Sequence, residues 1–233
     1  MPDALPQSPN PPVALSQVEQ KRFEKACRAF ESDQLDYALS ACAVLLAAHP
    51  ECLPVRRLQR AALLKKFPKR GGLLGKLVGA VSGLWLSLSS TRVKESTSEQ
   101  LDLAERFLGK NPYDTAALRL LGEAATSASA SAATSGEARS ANALGWSETA
   151  IFAYEEIREI EPTNRTNLLA LGDALLAAER AADALNIADT LLAQNAVDGD
   201  AQTLMRKASI AKTVDKGNWD EAGDFRARLK AEE

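Results

Sequence analysis

At 233 residues the chain can make one or two ordinary domains, and 45% hydrophobic residues supply a real core, which excludes a protein disordered throughout. Aromatics make up only 5%, and the abundance of Ala and Leu suits close helix-on-helix packing better than a β-sandwich, which draws on branched and aromatic side chains. The formal charge of -3 hides a division: between Cys52 and Lys94 there are ten Lys or Arg and no Asp or Glu, so this stretch carries +10 and leaves 18 basic against 31 acidic residues elsewhere.

Residues 1–12 hold five prolines and little that could join a core, so 1–15 is expected to be a disordered Pro-rich tail ahead of a helical domain over 16–233. Ser16 and Glu19 have the capping-box spacing, and Val18, Phe23, Ala26, Cys27 and Phe30 then recur at helical intervals. Ser32-Asp33 breaks this first helix. A second runs from Leu35 to Ala48 and stops at His49-Pro50, because proline cannot continue the hydrogen-bond ladder. The same phrasing returns with helix ends at Asn111-Pro112, Glu161-Pro162 and Asn195-Ala196, and helix starts at Tyr113-Asp114 and Thr163-Asn164.

Residues 165–197 resemble a tetratricopeptide repeat, a helix pair of 34 residues with small and large apolar residues at fixed places. Leu168, Leu171, Gly172 and Leu175 fall on the first-helix places, Ala184, Ala188 and Leu191 on those of the second, and Ala196 stands where proline is usual. Spacing agrees, since Pro162 to Ala196 is 34 residues, Pro112 to Pro162 is 50 and Pro50 to Pro112 is 62. The excesses of 16 and 28 match a Ser/Ala-rich tract at 126–141 and a Gly-rich basic one at about 65–92, both read as insertions between paired helices. Leu121-Gly122 with Ala150, Tyr154, Ile157 and Pro162 makes another unit. Ala38, Cys42, Leu45 and Pro50 make half of one, with Lys25-Ala26 in place of Leu-Gly; Leu58, Ala61, Phe107 and Pro112 make the poorest. Gly217-Asn218-Trp219-Asp220-Glu221-Ala222 echoes Gly145-Trp146-Ser147-Glu148-Thr149-Ala150, which suggests a fifth pair, and from Ser209 the chain resembles the end of a bacterial tetratricopeptide family of unassigned function. The resemblance covers about 16–230 and implies an all-α, right-handed solenoid of antiparallel helix pairs, four to five units with two insertions. An ordinary helical bundle with coincident proline spacing is the alternative.

The usual motifs of phosphate binding, metal hydrolysis and nucleophilic catalysis are absent from the sequence, so no enzyme, cofactor or metal site is expected. Cys27, Cys42 and Cys52 form no CxxC, and His49 is the one histidine; a reducing cytoplasm is the expected setting. The resemblance implies a concave face made mostly by first helices, which would hold a peptide or helix of a partner protein. Its register puts Arg119, Glu123, Thr166, Leu169, Asp173, Thr203 and Lys207 there. A clamp for chaperone C-termini is disfavoured, because Cys27, Gln59, Glu123, Asp173 and Lys207 stand where that subfamily needs Asn.

The basic insertion carries Gly71, Gly75, Gly79, Gly83 and Ser87 every fourth residue, beside Leu73, Leu77, Val81, Leu84, Trp85 and Leu88. It reads as a docked helix or loop, or alternatively as an amphipathic attachment of a membrane-peripheral scaffold through 65–90, with Lys65, Lys66, Lys69, Arg70, Lys76 and Trp85 meeting an anionic surface or an acidic partner. Lys76 leaves only residues 77–90 uncharged, too few for a bilayer span of about 20 residues. Nucleic acid is disfavoured, since positive charge without a recognised module gives only unspecific, salt-sensitive binding. Self-association between the basic stretch and the acidic remainder is a further option.

Overall fold

The computed structural model describes residues 15–68, 96–134 and 141–217, and every regular element among them is an α-helix. In chain order these are α1 (Gln17–Glu31), α2 (Leu35–Ala48), α3 (Leu53–Lys66), α4 (Thr97–Leu108), α5 (Thr115–Thr134), α6 (Ala141–Ile160), α7 (Arg165–Ala177), α8 (Ala181–Gln194) and α9 (Gly199–Gly217). The fold is all-α and assembled from antiparallel helix pairs, as the repeat pattern leads one to expect. The tail at 1–14, the basic stretch at 69–95 and the second half of the suggested fifth pair, 218–233, lie outside the described residues.

Two kinds of turn, each used more than once, set the pairs. Within a pair, α1 and α7 both end in a turn whose last residue has positive φ, Asp33 at 63° and Glu179 at 60°. There Gln34 N–H donates to the Ala29 carbonyl and Arg180 N–H to the Leu175 carbonyl, both at 2.8 Å, the long-range bond of a Schellman stop. Between pairs, the side chain of the residue before the next helix accepts the free N–H groups of its first turn. Asp114 Oδ1 takes those of Ala116 and Ala117 at 3.0 and 3.1 Å, and Asp198 Oδ1 those of Asp200 and Ala201 at the same distances. Asn164 does the same for Asn167 at 3.0 Å. At α1 the capping box is formed, with Ser16 N–H donating to Glu19 at 2.9 Å. The Ser16 hydroxyl and backbone N–H together draw the Glu19 carboxyl down to about 2.

Neither Asp33 nor Glu179 is glycine, so each holds a conformation that costs an L-residue about 1–2 kcal/mol. Glu179→Gly is therefore expected to raise stability by about 0.5–1 kcal/mol, the remainder being lost to greater freedom of the unfolded chain. A urea unfolding midpoint that does not move would contradict this reading of the turn.

The helices gather into two compact units, residues 1–162 and residues 163–233. In the first, α1 packs on α2, α2 on α3, α4 on α5, α5 on α6 and α3 on α6; in the second, α7, α8 and α9 pack on one another. The repeat positions are where the cores lie: Ala38, Cys42, Leu45, Ala150, Tyr154 and Ile157 in the first unit, and Leu168, Leu171, Leu175, Ala184, Ala188 and Leu191 in the second, are all buried. The weakest-matching pair departs from the expected register. Ala62 is buried where Ala61 is only half-buried, and Leu101, Ala104 and Leu108 fill the core of α4 while Phe107 stays half-buried.

The Ser/Ala-rich tract is helical as far as Thr134, which makes α5 a helix of 20 residues; α6, resuming at Ala141, also has 20. Small side chains let the two helices lie close, and Ser129 Oγ on α5 sits 2.7 Å from Ser147 Oγ on α6. In both units glycine marks a tight approach. A Cβ on Gly122 would lie 2.7 Å from the Tyr154 ring, and one on Gly172 would lie 2.4 Å from Leu204 Cδ2 of α9.

Candidate functional site

The charge division in the sequence turns out to be partly an internal pairing scheme. Arg56 and Arg60, on the buried side of α3, are only 3% and 6% exposed, and each needs a carboxylate to tolerate that position. Arg56 pairs with Glu105 of α4 and donates to the Pro50 carbonyl at 2.7 Å. Arg60 Nε meets Glu156 of α6 at 2.7 Å, and its Nη1 donates to the Pro112 carbonyl. Arg56, Arg60 and Glu105, with Gln59, Leu63, Leu118 and Phe152, line a depression among the helices of the first unit. Lys65 Nζ lies 2.8 Å from Asp33 and 5.1 Å from the Phe30 ring centroid, and Lys66 Nζ lies 2.5 Å from Asp36. Four of the ten basic residues are thus matched to acids 30 to 96 positions away. Of the residues singled out for membrane or acidic-partner contact, Lys65 and Lys66 are exposed but carry these partners, and Lys69, Arg70, Lys76 and Trp85 lie outside the described residues.

The first-helix candidates fall into two groups, one in each unit. In the second unit, Gly172 removes the side chain that would keep α7 from α9, so the residues beside it on the two helices come together. Asp173 Oδ1 and Lys207 Nζ are 3.9 Å apart with 66% and 61% of their side chains exposed, a solvated pair whose charges remain available to a partner. Thr166 and Thr203 are exposed, Leu169 is half-buried, and the Thr203 hydroxyl donates to the Gly199 carbonyl at 2.9 Å. The helix starts beneath this face are fixed by a fork. Arg165 Nε and Nη2 reach the two oxygens of Asp198 at 2.5 and 2.8 Å, and Nη2 also reaches Asp200 at 2.5 Å. That fork holds the Asp198 carboxyl well below the usual carboxylate range.

In the first unit, Arg119 is half-buried and Glu123 exposed, one turn apart on α5. Both lie near the buried Tyr154 phenol. Burial pushes that phenol up, the Thr126 hydroxyl opposes it, and Glu123 and Arg119 act with opposite signs. The arrangement is a surface of mixed charge around a packed tyrosine.

The cysteines belong to the core. Cys42 and Cys52 are buried in a cluster with Ala26, Leu45, Val55 and Leu58, Cys27 packs against it, and all three are free. Burial foremost, then Cys27 and Cys52 nearby, push the Cys42 thiol up to about 12, so it packs as a neutral, apolar group. His49, at the end of α2, has Nε2 at 3.0 Å from Glu19 and Nδ1 at 3.8 Å from Glu51, which ties the start of α1 to the turn before α3. Among the described residues no group of three or more His, Cys, Asp or Glu is placed to hold a metal ion, and no helix is long and apolar enough to cross a membrane.

The interactions that the sequence did not reveal are the long-range ones: Arg56 with Glu105, Arg60 with Glu156, and Arg165 with Asp198. A run of basic residues without any acid implied that partners lie elsewhere, but nothing in it said which.

Comparison with known families finds a tetratricopeptide repeat over residues 147–208, a stretch that contains the Asp173–Lys207 face. This segment is tetratricopeptide-like. No curated protein and no solved structure matches the chain.

Proposed function

We propose, from the tetratricopeptide-like segment at 147–208, that the chain is a protein-binding scaffold that holds a peptide or helix of another protein against exposed first-helix residues. The observation that carries this reading is the register itself. The repeat pattern buries Leu168, Leu171 and Leu175 of α7 and Ala201, Leu204 and Ala208 of α9, and by doing so leaves Thr166, Asp173, Thr203 and Lys207 on the open side. Leu169 adds an apolar contact at the edge of this face. Arg119 and Glu123 are the corresponding residues of the first unit. A face with an exposed acid and an exposed base, joined only in a loose solvated pair, suits a partner segment that carries both charges, because each would meet its complement at little desolvation cost. Three free thiols in the core of one unit fit a reducing compartment, which belongs to the same proposal.

The test is affinity capture from native lysate with wild-type protein and with Asp173→Lys/Lys207→Glu, the two compared by mass spectrometry and both checked for helical circular dichroism. The exchange preserves net charge and leaves the buried faces alone. Proteins captured by wild type and lost, by about tenfold or more, from the exchanged variant are expected, since each mismatched charge pair costs of order 1 kcal/mol at a rim and more when desolvated. Identical capture by both proteins would remove this face from the proposal.

The second reading, attachment to an anionic bilayer through 65–90, has weaker support, because Asp33 and Asp36 already neutralise two of its lysines. Flotation with anionic vesicles at low salt tests it. Binding that vanishes when Lys65, Lys66, Lys69 and Arg70 are exchanged for Glu would favour it, each basic residue near such a surface being worth about 1 kcal/mol.

A further inference from the structure

The second helices α2 and α8 occupy equivalent places in their pairs, with Ala38, Cys42 and Leu45 of one matching Ala184, Ala188 and Leu191 of the other, all buried. Their outward faces ought then to be alike, and they are not. Where α8 turns Asp183, Asn186, Asp189, Thr190 and Gln194 away from the core, α2 has Tyr37, Ser40, Ala43, Val44 and Ala48. Tyr37 is 49% and Val44 52% exposed, and Asp36 is the one charged residue of α2. A helix that is apolar all round is normally covered all round. The apolar side of α2 therefore calls for an occupant that α8 does not need.

We propose that this occupant is the chain's own stretch 69–95. Three observations point to it. The described chain reaches Pro68 two residues after Lys66, and Lys66 is held 2.5 Å from Asp36, the residue next to Tyr37; Lys65 is held 2.8 Å from Asp33. The stretch thus departs from the very end of α2 where the apolar face begins. It has 27 residues, ample to run along a face that extends about 17 Å from Tyr37 to Ala48 at 1.5 Å per helical residue. Its composition is complementary: Leu73, Leu77, Val81, Leu84 and Leu88 supply apolar surface, and Gly71, Gly75, Gly79 and Gly83 leave room for Tyr37 and Val44 to approach. The size of the face argues the same way. Five modest side chains fall short of the ~800 Å² per partner of a stable interface between separate chains, whereas a tethered stretch binds at an effective concentration of order millimolar.

The experiment uses the full chain with Val44→benzoylphenylalanine, irradiated and mapped by mass spectrometry, and with Thr190→benzoylphenylalanine on α8 as control. Its companion measures trypsin cleavage after Lys76 and Arg92 in wild type and in Tyr37→Glu/Val44→Glu, exposed positions at which the helices should remain folded by circular dichroism. The proposal expects a crosslink from position 44 to residues 69–95 within one chain, none from position 190, and cleavage at least about fivefold faster in the double variant, since burying one apolar side chain is worth a factor of this order or more. A crosslink joining two copies would assign the face to self-association and overturn the proposal. So would a crosslink elsewhere in the same chain, the absence of any crosslink, or unchanged cleavage.

Discussion

Arg60→Ala is expected to lower the stability of the protein by about 3 kcal/mol, among the largest effects of any single substitution in the first unit. The guanidinium is 6% exposed and joins α3 to Glu156 of α6 and to the Pro112 carbonyl at the turn before α5. Its removal leaves a carboxylate and a buried carbonyl without their donor. The figure stands at the lower end for a broken buried pair because Glu156 keeps 23% of its side chain exposed, and water can reach it. Two further variants separate this cause from lost packing. Glu156→Gln keeps the volume and one acceptor and should cost about 1 kcal/mol, while Arg60→Met/Glu156→Leu should recover most of the loss, as apolar replacements of buried pairs often do. Urea unfolding gives all three, and a loss below about 1 kcal/mol for Arg60→Ala would mean that the pair does not form in solution.

Gly172→Leu is the corresponding experiment in the second unit, with an expected loss of about 3 kcal/mol, at the upper end for overpacking. The first added atom already lies 2.4 Å from Leu204 Cδ2, 3.0 Å from Cδ1 and 3.2 Å from Cγ, in a place where Leu204 is only 3% exposed. Alanine is a different case. The methyl groups it meets are the ends of a side chain that can turn, and a helix gains about 1 kcal/mol when Ala replaces Gly, so Gly172→Ala should stay near neutral. Leucine has no such escape and must part α7 from α9, which separates Asp173 from Lys207 as well. The variant should therefore lose both stability and the partner, whereas the Asp173/Lys207 exchange should lose the partner alone. A Gly172→Leu protein that melts like wild type would mean that α7 and α9 are not in this contact.

Much of the architecture was legible because repeats write the same physical requirement several times. Pro50, Pro112 and Pro162 each follow a helix end, and Ala184 and Ala38 are each fully buried at the small-residue place of a second helix. Register was lost where the repeat was weakest. In α4, the repeat pattern puts Phe107 on a core place, but Leu101, Ala104 and Leu108 share the buried face and turn Phe107 to its edge. The Ser/Ala tract at 126–141 was read as an insertion between paired helices, and its composition did not reveal that its first part, as far as Thr134, extends α5, where small side chains let two long helices lie close. Along α3, the sequence shows positive charge, and only the fold distinguishes Arg56 and Arg60, which point inward to carboxylates 49 and 96 residues away, from Lys65 and Lys66, which point outward. For the candidate site, the register implied by the resemblance pointed to first-helix residues, but not to the glycine contact that brings Asp173 and Lys207 within 3.9 Å.

A protein partner is proposed to lie on the first helices of the tetratricopeptide-like segment and not on the second. Hydrogen exchange of the captured complex against the free chain tests it helix by helix. Protection is expected at residues 165–177 and 199–214, with residues 182–194 of α8 unchanged because that helix presents the opposite, polar side. Protection of α8 with α7 and α9 unaltered would contradict this placement.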